Sequence, residues 1–381
     1  MVMNLALLFW SSVFMIFFAY LGYPLSLKIF STWRSFTVRK RYITPYTTFI
    51  ISAYNEEKGI RRKIENTLEL DYPKNLIQII VVSDGSTDGT VQIVREYEQR
   101  GIELIELKER KGKESGQNEA VKGARGEILI FSDVATMLDK NGLREIVANF
   151  DDPEIGCVSS VDKLLSNEDD KTGGEGFYVK YEMWLRGMES SIKSVVGLSG
   201  SFFAARKVVC FDFSTSMQSD FKTLLNSVKM GLRGISDPQV IGYYPDIKDK
   251  SKEFYRKVRT VVRGLTVFFN NIEYVNPFRF GIFSYMYVCH KLLRWAVPLF
   301  LMIALCTGVY LFKTSAFYKI LFGFQLTFYL LALSGITMPK LNSLKIMKVT
   351  SFFVMVNISI MIAWIKFLRG ERIVLWQSSV R

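Results

Sequence analysis

Histidine occurs once in the 381 residues, at His290, and cysteine only four times, at Cys157, Cys210, Cys289 and Cys306. The cysteines are widely scattered, with neither a CxxC pair nor a metal-ligand spacing, so a zinc module and a disulfide framework are excluded and the thiols read as reduced and structural. The lone histidine begins HKLLRW, just before an apolar run. It reads as part of an interfacial anchor, with Arg294 and Trp295 at headgroup depth, rather than as a catalytic base. Charge is missing altogether from Met1 to Leu27. Within that stretch ALLFWSSVFMIFFAYLGYP is long enough to cross a bilayer, which takes about 20 apolar residues. A cleaved signal peptide would carry basic residues before the apolar run, whereas here Lys28, Arg34, Arg39, Lys40 and Arg41 follow it. The stretch therefore reads as a transmembrane anchor that leaves the next domain in the cytoplasm.

Long apolar runs are present near the C-terminus: WAVPLFLMIALCTGVYLF, ILFGFQLTFYLLALSGITM and VTSFFVMVNISIMIAWI, each bounded by Lys or Arg. Four full crossings would leave Lys366, Arg369, Arg372 and Arg381 outside, against their charge. One run, the last, is therefore expected to be re-entrant or interfacial, and the number of full spans stays open. The net charge is +13, which raises the question of a nucleic-acid partner. Most of the excess lies beside apolar spans, where lipid headgroups and topology account for it, and no nucleic-acid motif accompanies it. The plan is an anchor over 1–27, a basic cytoplasmic linker over 28–45, a soluble domain over 46–247, basic interfacial helices over 248–294, transmembrane or re-entrant helices over 295–368 and a basic tail over 369–381.

From residue 46 short β-branched runs alternate with helix-periodic stretches: YTTFIIS, NEEKGIRRKIENTLEL, IQIIVVS, TDGTVQIVREYEQ, IELIEL and EILIF. That rhythm predicts parallel βαβ units, an α/β Rossmann-like domain whose ligand lies beyond the carboxyl ends of the strands. Ala53, Tyr54, Asn55, Glu56 and Glu57 follow the first run. Asp84 to Asp88 follow the second, and Asp133 follows EILIFS. One such acid is commonly a helix cap; three converging strand ends indicate a site.

SAYNEEKGI, VVSDGSTDGT, GKESGQNEAVKGARGEILIFSD and GLSGSFFAARK, in this order, resemble the family 2 glycosyltransferases, inverting enzymes of the GT-A fold, over about residues 46–265. The flanking spans resemble those of membrane-integrated bacterial members. The resemblance implies a nucleotide-sugar donor, most often a UDP-sugar, with Ala53, Tyr54, Glu56, Asp84, Lys113 and Asp133 on the donor side. An aromatic face and a carboxylate acceptor together can stack on uracil and read its imide N–H. Lys113 falls on the family's GK position beside the diphosphate, where a point charge suits phosphate neutralisation. Gly197 and Gly200 permit close backbone approach to the sugar, with Gly200 and Ser201 on the acceptor side; Arg206 holds the fold. Asp220, in SMQSDFKTLL, takes the place of the family's general base, with Ser219 where a preceding acid is usual.

Two departures stand out. Asp133 in FSDVAT aligns with the first acid of the family's DxD, but Ala135 replaces the second. A divalent metal, Mg²⁺ or Mn²⁺, on Asp133 is still expected, since Mg²⁺ uses one or two carboxylates with phosphate oxygens and water; the alternative is that Lys113 and other cations carry the charge. In residues 248–264 Arg256 and Arg259 stand where polymer synthases have QxxRW, without its Gln or Trp. They meet either a donor or lipid phosphate, or membrane headgroups from an interfacial helix. Tyr178, Tyr181, Trp184, Leu185, Met188 and Ile192 share one helical face, for the membrane, the acceptor or the core. The expected activity is inverting sugar transfer to a lipid-linked or growing glycan acceptor at the cytoplasmic membrane, in capsule, exopolysaccharide or envelope assembly. Its rivals are a processive polysaccharide synthase and a non-catalytic scaffold of the same fold.

Overall fold

The computed structural model describes residues 1–164, 174–214, 217–244, 250–338 and 344–373. An eight-stranded sheet runs in the order β3-β2-β1-β4-β7-β6-β8-β5. Its strands are β1 (Thr47–Ala53), β2 (Ile77–Asp84), β3 (Ile102–Leu107), β4 (Ile128–Asp133), β5 (Met137–Leu138), β6 (Ile155–Leu164), β7 (Phe202–Arg206) and β8 (Arg233–Tyr244). β3, β2, β1 and β4 are mutually parallel, while β7 runs antiparallel to both β4 and β6. The sheet is therefore mixed and mostly parallel, as the βαβ rhythm predicts. β1 is central and covered on both faces, which is why TTFIISA reads as nearly continuous apolar sequence rather than as an alternation.

The parallel half is wound by α3 (Ile60–Leu68), α4 (Thr90–Arg95) and α5 (Lys113–Gly123), with α6 (Gly142–Ala148) before β6. The register sets Ser52 opposite Asp133, Ala53 opposite Ser83, and Ser132 opposite Phe202. The ends of β1, β2 and β4 thus share one edge with the start of β7. Arg206, at the other end of β7, donates from Nε to the Ile155 carbonyl at 2.8 Å and from Nη2 to the Phe150 and Asp152 carbonyls at 2.9 and 3.0 Å. It holds the fold, in agreement with its expected role.

Helices α1 (Val2–Phe17) and α2 (Tyr23–Trp33) join through a π-helical turn into one helix. α7 (Gly174–Ile192), α8 (Ser219–Lys229) and α9 (Lys250–Asn270) follow, then the short α10 (Pro277–Phe280) and α11 (Ile282–Tyr287). α11 continues through a second π segment into α12 (Arg294–Leu311), followed by α13 (Ala316–Thr337) and α14 (Lys345–Leu368). Among the described residues four helices, Val2–Trp33, Ile282–Leu311, Ala316–Thr337 and Lys345–Leu368, are long and apolar enough to cross a membrane. The helix of the N-terminal run extends past residue 27 to Trp33, and that of the second run begins ahead of Trp295, at Ile282. The end of the expected tail, from residue 374 through Arg381, lies outside the described residues.

His290 and Arg294 are buried within the protein, which corrects the reading of HKLLRW as an anchor that presents its polar groups to the headgroups. Two carboxylates of α7 draw them inward. His290 Nδ1 lies 2.6 Å from Glu189 Oε1 and its Nε2 lies 3.2 Å from Glu182 Oε1, while Arg294 donates to Glu182 Oε2 at 2.9 Å and to the Tyr178 hydroxyl at 2.8 Å. Burial alone would raise the Glu182 carboxyl, but His290 and Arg294 outweigh it and hold it well below the usual range. The α7 face splits accordingly. Leu185 and Ile192 are core, Tyr178 and Tyr181 meet the apolar helices, and Trp184 is exposed. Part of the basic linker also serves the domain, since Lys40 pairs with Glu145 at 2.6 Å and with Asp237 at 2.8 Å. Three cysteines are buried free thiols and Cys306 is exposed.

Replacing Arg206 by Met strands three carbonyl acceptors. The expected cost is about 2 kcal/mol, seen as a lower melting temperature in detergent; an unchanged melting temperature would remove Arg206 from the fold's supports.

Candidate active site

The loops after β1 and β2 are laced together before any ligand is considered. The Asn55 amide donates to Ser86 Oγ at 3.1 Å, the Thr87 amide to Asn55 Oδ1 at 2.8 Å, the Glu56 amide to Thr90 Oγ1 at 2.8 Å, and the Glu57 amide to Asp88 Oδ2 at 3.1 Å. Gly85 has φ of +65°, and a Cβ there would lie 2.7 Å from the Arg110 amide nitrogen. Only glycine lets the segment before α5 close over the end of β2.

That closure sets Asp84. Its Oδ1 accepts from the Lys111 amide at 2.8 Å and its Oδ2 from the Gly112 amide at 2.9 Å, so the carboxylate fixes the backbone entering α5. Tyr54 lies across from it, with the Arg110 guanidinium 3.7 Å from its ring centroid. Ser52, Ala53, Tyr54, Val82, Asp84, Lys113 and Gly116 line one pocket. Four of the six donor-side residues expected from the sequence, Ala53, Tyr54, Asp84 and Lys113, meet there. Glu56 is in the adjoining loop, and Asp133 adjoins through Lys113.

Lys113, the first residue of α5, donates from Nζ to Asp133 Oδ1 at 2.5 Å and to the Gly200 carbonyl at 2.9 Å. The Asp133 amide in turn donates to the Ser201 carbonyl at 3.0 Å. The DVA turn and the GLSGS turn are thereby tied to each other and to α5. Asp220, in the first turn of α8, also stands against Gly200; a Cβ built on Gly200 would lie 3.4 Å from its carboxyl carbon. Burial pushes the Asp220 carboxyl up from its ordinary range, with Lys113 and Arg263 opposing the shift.

Sequence reasoning missed four groups here. Asp162, at the end of β6, accepts from Ser199 Oγ at 2.7 Å and Ser201 Oγ at 3.1 Å, bracing the turn that carries Gly200. Lys63 of α3 is fully buried beneath the DVA turn, donating to Ser132 Oγ at 2.8 Å and the Thr136 carbonyl at 2.5 Å. Burial lowers its ammonium to about 7, against the pull of Asp133. Arg110 is the third. Glu114 is the fourth: it forms a buried ion pair with Arg263 of α9. That pair lays α9 over the start of α5, and Arg259 comes within the field of Asp133 and Glu114. Burial, then Arg263 and Arg256, lowers the Arg259 guanidinium, with the two acids opposing. The spacing of 256, 259 and 263 along α9 was the available signal for a shared face.

Among the described residues there is no group of three or more His, Cys, Asp or Glu side chains that could hold a metal ion. Asp133, the acid expected to hold a metal, has one oxygen engaged by Lys113. Such a site fits a hard divalent cation only when donor phosphate oxygens and water complete the set, as Mg²⁺ accepts.

Residues 48–210 match the family described as Glycosyl transferase family 2. A stretch of 114 residues is 31% identical to a poly-beta-1,6-N-acetyl-D-glucosamine synthase of Staphylococcus aureus, covering 29% of this chain and 27% of that protein. The Staphylococcus epidermidis protein of the same name is 28% identical over the same shares. The chain thus spans about a quarter of the length of these relatives. A solved mannosyltransferase from Pyrobaculum calidifontis, in complex with GDP-Man and Mn²⁺, superposes over 97% of this chain and 100% of its own, with a TM-score of 0.77 at 22% identity. That likeness in fold takes in the apolar helices as well as the sheet. The ordered motifs, the mixed sheet with its acids along one edge, and the family match agree on residues 48–210, which carry a domain of glycosyltransferase family 2 type.

Proposed function

We propose that the chain moves one sugar, with inversion at the anomeric carbon, from a nucleoside diphosphate sugar, a UDP-sugar in this reading, to a lipid-linked or growing glycan acceptor. The work is done at the cytoplasmic face of the inner membrane, in synthesis of capsule, exopolysaccharide or envelope polysaccharide. The observation that carries the reading is the meeting of groups at Gly200: its carbonyl accepts from Lys113, which also holds Asp133, and the Asp220 carboxyl stands against its α-carbon. An inverting displacement needs a cation for the leaving diphosphate and a base for the attacking hydroxyl at one sugar, and this turn gathers a group suited to each.

In this mechanism the base rests against Tyr54 with Asp84 as acceptor for its N–H. The diphosphate meets Lys113, with Arg259 above, so that charge developing on the departing nucleotide is met by fixed cations. A divalent ion, held by Asp133 and the diphosphate, would add Lewis-acid neutralisation of the same charge. Asp220 takes the proton of the acceptor hydroxyl as it attacks. Its raised affinity for a proton makes it a stronger base than a solvated aspartate. Lys63 holds the DVA turn from below, and Asp162 holds Ser199 and Ser201. A polymer-extruding synthase is the second reading, favoured by the similarity to the staphylococcal synthases; the length of the product made by purified protein separates the two.

Asp220→Asn is expected to lower transfer at least about 100-fold and leave donor binding intact; full transfer by this variant would overturn the assignment of the base. Its stability has a defined sign. A carboxyl whose folded pKa is raised favours folding while protonated and opposes it once charged. The Asn variant should therefore melt no lower than the parent at pH 7, and any gain should shrink as the pH falls and Asp220 takes up its proton. The acid limb of the wild-type rate profile should likewise lie above the range of an ordinary aspartate.

Nucleotide release from a panel of UDP- and GDP-sugars, each with Mg²⁺, Mn²⁺ or chelator, tests donor and metal together. Release from a UDP-sugar that falls at least about tenfold under chelation is expected. Undiminished release under chelation would make Asp133 a holder of Lys113 and not of a metal.

A further inference from the structure

Of the four helices long and apolar enough to cross a membrane, we infer that three cross and that α14 lies within the leaflet beneath the catalytic domain, its free side against lipid. This goes beyond the sugar-transfer reading and does not depend on it. The bundle has two ends, fixed by contacts. Arg294, at the start of α12, bonds Glu182 and Tyr178 of α7, which marks the domain end. Leu311, at the other end of α12, clusters with Phe9 and Tyr318, and Trp10 stacks on Phe317 with ring centroids 6.2 Å apart. Those residues mark the distal end.

A helix crossing from Lys345 at the domain end would carry Trp364 roughly 28 Å away from it at 1.5 Å per residue, to the level of Leu311 and Phe317. Trp364 is not there. Its Nε1 donates at 2.8 Å to the carbonyl of Trp295, the second residue of α12. Three turns earlier, Phe352 meets Tyr178 at 5.8 Å and Phe353 meets Tyr20 at 5.6 Å between ring centroids. Contacts from both parts of α14 therefore fall near the domain end.

α9 gives the second, independent observation. It runs along α14, with the Lys257 ammonium 5.1 Å from the Phe352 ring centroid, Val258 and Val262 against Ala363, and Phe269 at 5.3 Å from Phe367. The same helix is bound to the catalytic domain through Arg263 and Glu114. A helix that shares its length with a domain helix is in the layer under the domain. Away from α9, Ile346, Val349, Ile358, Ile365 and Leu368 are exposed. The segment KIMKVTSFFVMVNISIMIAWIKFL contains no carboxylate and has its lysines near its two ends. Acyl chains suit the apolar length, and anionic headgroups suit Lys345, Lys348 and Lys366. Arg369 and Arg372 then stay on the domain side, which removes the conflict between four crossings and the basic tail.

The test uses the full chain in sealed vesicles of phosphatidylethanolamine and phosphatidylglycerol. In a Cys306→Ser background, whose other cysteines are buried, single cysteines are placed by Arg369→Cys, by Glu98→Cys on the catalytic domain, and by Lys313→Cys at the distal turn. A membrane-impermeant maleimide should reach Arg369→Cys and Glu98→Cys from the same side and Lys313→Cys from the other. Reaction of Arg369→Cys together with Lys313→Cys would overturn the inference. Independently, a bimane on Ile358→Cys should be quenched more by lipids spin-labelled near the headgroup than by lipids labelled at the chain end; the reverse order would place Ile358 at mid-bilayer and overturn it as well. Neither readout depends on sugar transfer, so an inactive preparation would bear on the proposed activity alone.

Discussion

One ammonium joins the parts of this site. Lys113 begins α5, reaches Asp133 at the end of β4 and also reaches the carbonyl of Gly200 ahead of β7. Those three segments lie far apart in the chain, and without a cation between them a carboxylate and a carbonyl oxygen would face each other across a partly buried gap. The arrangement also prepares the site for its ligand. In the proposed reaction a diphosphate entering beside Lys113 would exchange one anionic partner for another, so that the cost of desolvating the lysine is met when the protein folds and not when the donor binds.

The parallel half of the sheet was legible because its strands are short β-branched runs separated by helix-periodic polar stretches, and the site acids follow those runs directly. Asp84 and Asp133 are the last residues of their strands and Tyr54 follows the end of its own, so all three could be found by reading where each apolar run stops. Asp162, Lys63, Arg110 and Glu114 could not, because what defines each is a partner elsewhere. Glu114 meets Arg263 across 149 positions of sequence, and Lys63 meets Ser132 across 69. His290 and Arg294 misled for the same reason. Beside an apolar run they look like an anchor, and only the fold brings the carboxylates of α7 against them. Asp84 shows a different limit: its strand-end position was clear, but its bonds to the Lys111 and Gly112 amides follow from the left-handed turn at Gly85.

The missing second acid of FSDVAT takes on a definite meaning in this setting. Ala135 is in a turn that closes from the Thr136 amide to the Asp133 carbonyl at 3.2 Å, with the buried amine of Lys63 below. Lys113 pairs with the one aspartate, and Lys63, lowered by burial to about 7, adds part of a charge nearby. The balance of charge at this strand end is therefore more positive than two carboxylates would make it, which suits a site that leans on the ligand's own phosphates.

The polar knot of Glu182, Glu189, His290 and Arg294 bears on what counts as a unit in this protein. The carboxylates belong to the sheet-bearing part, and the bases belong to an apolar helix. Removing one partner of a buried pair costs on the order of 3–5 kcal/mol, comparable with the whole stability of many domains. Severing the chain ahead of Ile282 to obtain a water-soluble fragment would take both bases away and leave Glu182 to Arg186 and Glu189 to the Tyr23 hydroxyl alone. The sheet-bearing part and its apolar helices are joined by buried charge, so the start of an apolar helix is not a boundary between separate bodies.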